Sequence, residues 1–443
     1  MKENVGIVIL LLVTTIVYSI VLLSIKSNTR NGEAAEEEPA LSEDTVSYDM
    51  AALRLHEEDI PIPTQAYYFT TAPVSSSERP AVSTDGMVAG TYRAVDRIEK
   101  PKPEELTPPP EPVNLVIDLD YNSDVDDTAA LRIAAMLDRM GRVHLLAAMA
   151  STGGEKVCKA MHSQLSYDGY GGVPIGMAAK NVPGGSPYWD DLINHYFSAG
   201  DYRVSNSVEL YKQILREMDR REKEKEQERK RYKELFELKD EELPEELKAV
   251  EKIRIVTTGY LVNVEALIKD PEGNSLMSRY VDSVWVTGGI YLQGDDHNFV
   301  CTKDCAQAAR YVLAHCPVTL IFSSSASTDN EDGNSIFCGG SILALDKNGT
   351  DPVAMAYRDY GKANNVAMFG GRNAWDPFCL WAATLPQEET NTRLEAVYLM
   401  IAESGYNRFS YQDPPNTQII RRNSNELGWY SSQLELLINA GLR

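Results

Sequence analysis

The sequence predicts an α/β domain, a mostly parallel central sheet flanked by helices, behind an N-terminal transmembrane helix and an extended stalk. Three observations predict it. Short apolar runs alternate with helical patterns through residues 113–443. Those runs are almost continuously apolar, as strands covered on both faces must be. An uncharged stretch of 21 residues lies near the amino terminus.

That stretch, residues 5–25, ends at Lys26. It is long enough to cross the hydrocarbon core of a bilayer as a helix. It exceeds the usual apolar core of a signal peptide, and no small-x-small cleavage site follows it. Residues 1–30 are therefore read as a single-pass anchor. Lys26 and Arg30 behind the span would hold the body in the cytosol by the positive-inside rule. The sequon Asn348-Gly349-Thr350 argues for the other side, so a lumenal or extracellular body is expected. Residues 31–112 hold 17 acidic and 6 basic residues and 11 of the 22 prolines. Such a composition cannot bury enough apolar surface to offset the entropy of ordering, and it reads as a disordered acidic stalk.

From residue 113 the pattern changes. Apolar runs at 115–117, 143–150, 173–177, 253–256, 281–286 and 318–322 read as strands, and 128–140 and 306–315 as helices. Strands alternating with helices imply βαβ units in one domain spanning 113–443. Residues 209–252, dense in Glu, Lys and Arg, read as a charged helical insertion interrupted at Pro244. A sustained apolar heptad, which a partner-binding coiled coil needs, is missing.

The net charge of −22 excludes a nucleic-acid partner, which requires a basic surface. Six cysteines are too few for a disulfide scaffold. Cys301, Cys305, His315 and Cys316 lack zinc-ligand spacing, so packed thiols or one or two disulfides are expected. Gly184-Gly185 and Gly339-Gly340 match neither a P-loop nor a dinucleotide fingerprint and read as turns.

The chemistry concentrates between Asp118 and Asp127. Asp118 and Asp120 close an apolar strand two residues apart, so their side chains leave on one face. Asp126 and Asp127 open a helix, where the free amides and the dipole favour negative charge. Ligands of open α/β sheets bind at the carboxyl ends of strands. Asp118, Asp120, Asp124, Asp126 and Asp127 together would repel one another unless a cation neutralises them. Oxygen-only donors point to a hard ion, calcium or magnesium. An EF-hand does not fit, since Ser123 and Ala129 stand where it needs Gly and Glu.

At these residues the chain resembles the inosine-uridine preferring nucleoside hydrolase family, in particular its longer-loop branch. The family's Asp-x-Asp followed by Asp-Asp-Ala-x-Ala-Leu is matched by Asp118-Leu119-Asp120 and Asp126-Asp127-Thr128-Ala129-Ala130-Leu131. Asn122 stands where the branch has glycine, and Asn tolerates the left-handed turn expected there. The likeness continues in order through Gly169-Tyr170-Gly171-Gly172-Val173-Pro174-Ile175-Gly176, Thr258-Gly259-Tyr260-Leu261-Val262-Asn263 and Thr287-Gly288-Gly289. It runs on through Asp296-His297-Asn298-Phe299 with Asp304 and Ala308-Ala309, and reaches Trp375-Asp376-Pro377.

The resemblance implies calcium held by Asp120, Asp127, Asp376 and the carbonyl of Thr258. Asp120 would be the base that deprotonates the water attacking C1′ of a purine-leaning ribonucleoside. Asp126, Asn298 and Asp296 would bond the ribose, with Asp118 and Asp124 supporting the loop from behind. It also implies a homo-oligomer. The chain departs from the pattern at Trp375, where many members carry the His that protonates the leaving base. Trp375 then reads either as a stacking platform for a purine or as a core residue. Ser151-Thr152-Gly153-Gly154 lacks the usual Gly-Asn, and Asp296 replaces Glu. His297 is either an acid beside the ribose contacts or a surface histidine. The competing reading is a catalytically inactive ectodomain of this fold that binds a ribosylated ligand. A phosphatase with Asp118 as nucleophile is disfavoured by Asn122 and by the lack of a matching distal lysine.

Overall fold

The computed structural model describes residues 112–443 except 123, 181, 238, 331 and 332. The expected anchor and almost all of the stalk lie outside the described residues. Among those described, no helix is long and apolar enough to cross a membrane.

Among the described residues, thirteen strands follow in chain order. The first eight are β1 (Val113–Leu119), β2 (Val143–Ala150), β3 (Ile175–Met177), β4 (Val204–Asn206), β5 (Ile253–Thr257), β6 (Val281–Thr287), β7 (Gln293–Gly294) and β8 (Thr319–Ser323). The last five are β9 (Phe337–Cys338), β10 (Arg372–Asn373), β11 (Thr392–Ile401), β12 (Asn407–Ser410) and β13 (Thr417–Arg422). Eleven form one sheet in the order β4-β3-β2-β1-β5-β6-β8-β13-β11-β12-β7, and β9 and β10 form a separate pair. From β4 to β13 every pairing is parallel, while β11, β12 and β7 add antiparallel strands at one edge. The predicted strands are all present. The run at 173–177 shortens to Ile175–Met177, because Val173 and Pro174 complete a turn behind the left-handed Gly169. The antiparallel edge was not foreseen, since β11 and β12 alternate buried and half-exposed residues.

The strand order positions the site. The chain winds outward from β1 to β4, then returns to lay β5 against the other side of β1. The carboxyl ends of β1 and β5 therefore diverge into connections running in opposite directions, which leaves a crevice at the switch point. The helix Asp126–Arg139 leaves β1 there and is buried from Asp126 to Leu137.

The charged insertion begins later than expected. Asn206 caps the amides of Val208 and Glu209 and starts a helix of 30 residues, Ser207–Phe236. Its first turns bury Leu210, Tyr211, Ile214, Leu215 and Met218 against the body, so residues 209–218 belong to the domain. Beyond Met218 the helix is held by one-turn ion pairs such as Lys223–Asp219, Arg220–Glu224 and Lys230–Glu226. Solvent screens these exposed pairs, so they add little to stability.

Candidate active site

At the end of β1, Asp118 is fully buried with both oxygens engaged. Oδ1 accepts from Asn263 Nδ2 at 3.0 Å and Oδ2 from the Tyr211 hydroxyl at 3.0 Å. Burial pushes its carboxyl up to about 7, against the pull of those two donors. Asp118 thus faces away from the crevice and fastens β1 to two neighbouring helices.

The chain then turns at Tyr121, whose φ of 43° is left-handed. Sequence reasoning placed that turn at Asn122; the structure moves it back one residue. A tyrosine holds this conformation because its surroundings fix it. Its hydroxyl donates to Gln164 Oε1 at 2.6 Å, and its carbonyl accepts from Trp189 Nε1 at 2.8 Å. The Tyr188 hydroxyl lies 3.0 Å from the Asn122 carbonyl and 2.7 Å from that of Asp124. The Asn122 side chain is freed to bridge loops: Oδ1 accepts from the Gly185 amide at 2.7 Å, and Nδ2 donates to the Tyr260 hydroxyl at 3.0 Å. Gly184 lies so close that a Cβ there would meet Asn122 Oδ1 at 2.6 Å. The Gly184-Gly185 segment, irregular backbone rather than the turn expected from the sequence, is therefore part of the site's wall.

Four carboxylates converge on the crevice. Asp120, Asp126, Asp127 and Asp376 are 8%, 2%, 1% and 6% exposed. Asp120 and Asp127 are within hydrogen-bonding reach of each other, and the Asp376 amide donates to Asp126 Oδ2 at 3.3 Å. Burial first and neighbouring negative charge second hold the Asp127 and Asp376 carboxyls well above the ordinary range. Asp120 and Asp126 are raised by the same burial, and His297 draws Asp120 partly back. Asp127 Oδ1 is buried without any hydrogen-bond partner. Asp124 turns outward to Arg372, which grips it in a fork at 2.7 and 2.9 Å.

β5 supplies the opposite wall. The Thr258 amide donates to the Asp118 carbonyl at 2.8 Å, and the Thr258 carbonyl accepts from Asn298 Nδ2 at 3.0 Å. The same Nδ2 reaches the Thr287 carbonyl at 3.1 Å. Gly259 allows this closeness, because a Cβ there would stand 2.2 Å from the Asp120 amide and 2.5 Å from Ser151 Oγ. Gly259→Ala is expected to push β5 and β1 apart and cost about 1–3 kcal/mol, as overpacking does. Equilibrium denaturation of the variant checks this; an unchanged midpoint would remove the close approach from the argument. Asp296 accepts from the Asn298 amide at 3.0 Å, and burial pushes its carboxyl up to about 6. His297 is exposed, 3.4 Å from the Tyr260 hydroxyl through Nε2. Trp375 is half-buried rather than in the core, and the Arg372 guanidinium lies 5.1 Å above its ring.

Of the residues singled out in the sequence, the fold brings Asp120, Asp126, Asp127 and Asp376 together. Thr258 and Asn298 stand across from them, with Asp118 behind. Arg372, Tyr188, Tyr211 and Gly185 escaped sequence reasoning, because each reaches the site from a distant part of the chain. Among the described residues, no group of three or more His, Cys, Asp or Glu side chains is arranged to hold a metal ion. Asp120 is turned to Asp127, Asp124 to Arg372, and Asp126 to a backbone amide. The donors available are all hard oxygens, and one of them, Asp127 Oδ1, is orphaned in a buried position. Such a set fits a hard divalent cation better than it fits an apolar surrounding.

No family model and no curated protein matches the chain. Solved structures do. The effector protein XOO4466 is 15% identical with a TM-score of 0.51, over 75% of this chain and 94% of its own. A purine-preferring ribonucleoside hydrolase from Gardnerella vaginalis is 14% identical with a TM-score of 0.51, over 74% and 98%. The plant nucleoside hydrolase PpNRh1 is 15% identical with a TM-score of 0.50, over 74% and 99%. The likeness is one of fold.

Proposed function

From a nucleoside hydrolase-like fold with buried carboxylates at its switch point, we propose that this chain hydrolyses the N-glycosidic bond of ribonucleosides, with calcium and a leaning to purines. The observation that carries the reading is the convergence of Asp120, Asp126, Asp127 and Asp376 on one crevice, with Asp127 Oδ1 unpaired. Calcium would be held by Asp120, Asp127, Asp376 and the Thr258 carbonyl, and when bound it supplies positive charge that acidifies a water and grips vicinal hydroxyls. Asp120 takes the proton of the water that attacks C1′. Asp126 and Asp296 accept from ribose hydroxyls. Asn298, whose Nδ2 is engaged by two carbonyls, offers Oδ1 to the sugar. The remaining carboxylates favour the positive charge that develops on the ribosyl ring as the bond to the base breaks. Trp375 offers a half-buried ring to a purine, with Arg372 over its other face.

The test is base release from inosine, adenosine, guanosine and uridine by the full-length chain, with calcium and with chelator. Release that requires calcium supports the proposal. No release from any of the four, with calcium still raising the melting temperature, supports the second reading, an inactive ligand-binding ectodomain. The clamp of Arg372 on Asp124 and Trp375, where no imidazole stands, favours that second reading.

The carboxyls also set a pH dependence. Asp118 is raised to about 7, and Asp120, Asp126, Asp127 and Asp376 are raised by burial. Groups that bind protons more tightly when folded stabilise the fold while protonated, and that stability is lost as pH rises through their folded values. In chelator, the melting temperature should therefore fall from pH 5 to pH 8. Calcium, replacing the protons, should raise it more at pH 8 than at pH 5. Equal gains at both pH values would count against a cation among these groups.

The anchor at 1–30, a lumenal or extracellular body and a homo-oligomer belong to the same proposal. Asn348 is exposed, so a mass shift on glycosidase treatment of the cell-expressed chain tests the lumenal side.

A further inference from the structure

The six cysteines are all free, but they are not alike. Cys158, Cys338 and Cys379 are buried, and burial pushes their thiols up, as in inert core cysteines. Cys301 and Cys305 instead face each other, Sγ to Sγ 2.8 Å. They flank the junction between the helix His297–Val300 and the helix Lys303–His315. In an unbroken helix, residues four apart hold their Cβ atoms roughly 5–6 Å from each other, wider than the ~3.5–4.5 Å a disulfide needs. Thr302 breaks the helix with an extended φ of −143° and ψ of 169°. Its Oγ1 lies 3.2 Å from the Cys305 amide and 3.2 Å from the Cys305 sulfur.

The two thiols divide the work of an exchange reaction. Cys301 is half-exposed and Cys305 is buried behind it. The hydrogen bond between them draws the Cys305 thiol down and pushes the Cys301 thiol up, so a proton can pass between the two sulfurs, and exposure rather than acidity singles out Cys301 as the sulfur that meets a small disulfide. The pair also borders the carboxylate crevice. The Cys301 thiol reaches the Tyr260 hydroxyl, which bonds Asn122 and stands beside His297.

We propose that Cys301 and Cys305 form a thiol–disulfide site on the rim of the crevice, closed by low-molecular-weight disulfides of the glutathione type and opened by dithiols. Cys301 passes its proton to the Cys305 sulfur 2.8 Å away and, as the thiolate, attacks one sulfur of the small disulfide, forming a mixed disulfide and releasing one thiolate, which takes up that proton. Cys305 then attacks Cys301 Sγ, forming the protein disulfide and releasing the second. Two protein thiols are oxidised, one disulfide is reduced to two thiols, and the two thiol protons leave with them. Closure withdraws the Cys301 thiol from Tyr260 and ties the segment carrying Asp296, His297 and Asn298 to the helix behind it. The consequence for catalysis rests on the hydrolase reading; the exchange itself does not.

Lys303 lies between the two cysteines, so trypsin separates them unless they are bridged. The folded full-length chain is incubated with oxidised glutathione, alkylated and digested. The expected result is a joined pair of peptides, one ending at Lys303 and one starting at Asp304, with two glutathione thiols released per chain. It should form at least about tenfold faster than any adduct at Cys158, Cys338 or Cys379, as accessible thiols outpace buried ones. Cys305→Ser should stop at a mixed disulfide on Cys301, and Cys301→Ser should give neither product. Separate alkylated peptides after treatment, or equal reaction at Cys316, would overturn the assignment. In the same samples the KM for base release should change at least about threefold on oxidation, return with dithiothreitol, and stay constant in Cys301→Ser. An unchanged KM overturns the coupling to the crevice. Absence of any base release would count against the hydrolase reading alone, since the peptide result is read without it.

Discussion

Replacing Asp120 with Ala should lower kcat for base release by about 10²–10⁴-fold, the usual contribution of a general base. The reason is geometric and electrostatic. Asp120 follows β1 directly, its backbone is pinned by Gly259 across the crevice, and its carboxyl meets Asp127. Burial raises its proton affinity in the cation-free chain, which works against its acting as a base. A neighbouring divalent charge reverses that balance, which is why activity and calcium dependence should vanish together. Asp120→Asn should lose activity to a similar degree while preserving shape and volume. Steady-state kinetics at saturating calcium, beside circular dichroism, check the result. Activity within about threefold of the parent in both variants would remove Asp120 from the base role.

The fold was largely legible because parallel strands buried on both faces leave an apolar run that sequence shows directly. β2, β5 and β6 were visible for that reason. The edge strands β11 and β12 were not, since one face of each is half-exposed and their pattern is mixed. At the site, the local segment from Asp118 to Asp127 could be read as a carboxylate cluster, since a strand followed directly by a helix confines its side chains to one crevice. Contacts over long sequence distance could not be read. Arg372 pairs with Asp124 across 248 residues, and Tyr211 bonds Asp118 across 93. Tyr211 was hidden further by its place at the head of a charged helix, whose composition masks a buried first segment. The left-handed turn was misassigned by one residue for a related reason. Residue type alone favoured Asn122, whereas the ring of donors and acceptors around Tyr121 decides the backbone.

The site also depends on an ion cluster that no motif announces. Arg132 lies in the middle of the helix Asp126–Arg139, fully buried. Its Nε approaches Asp168 Oδ1 at 2.7 Å, an ion contact without straight hydrogen-bond geometry, and Nη2 bonds Asp351 Oδ2 at 3.0 Å. Nη1 donates to the Ile438 carbonyl at 3.2 Å, tying in the C-terminal helix Leu427–Asn439. Burial outweighs the guanidinium at Asp168, whose carboxyl is raised to about 6, so the cluster gains little net energy but cannot lose one member. Arg132→Met should therefore destabilise the chain by about 3–5 kcal/mol, a large part of the ~5–15 kcal/mol that holds a domain together. The triple variant Arg132→Met, Asp168→Asn, Asp351→Asn removes the stranded charges. It keeps an acceptor for the Val353 and Ala354 amides that Asp351 caps. It should recover more than half of the loss. Denaturant midpoints of the single and triple variants decide it: a single-variant loss below about 1 kcal/mol would mean that the cluster does not hold the fold. Because this helix presents Asp126 and Asp127 at its first turn, the single variant should also weaken calcium binding, and the triple variant should restore it. Stability and the carboxylate crevice are thus joined through one buried side chain, about one and a half turns below the carboxylates at the head of its helix.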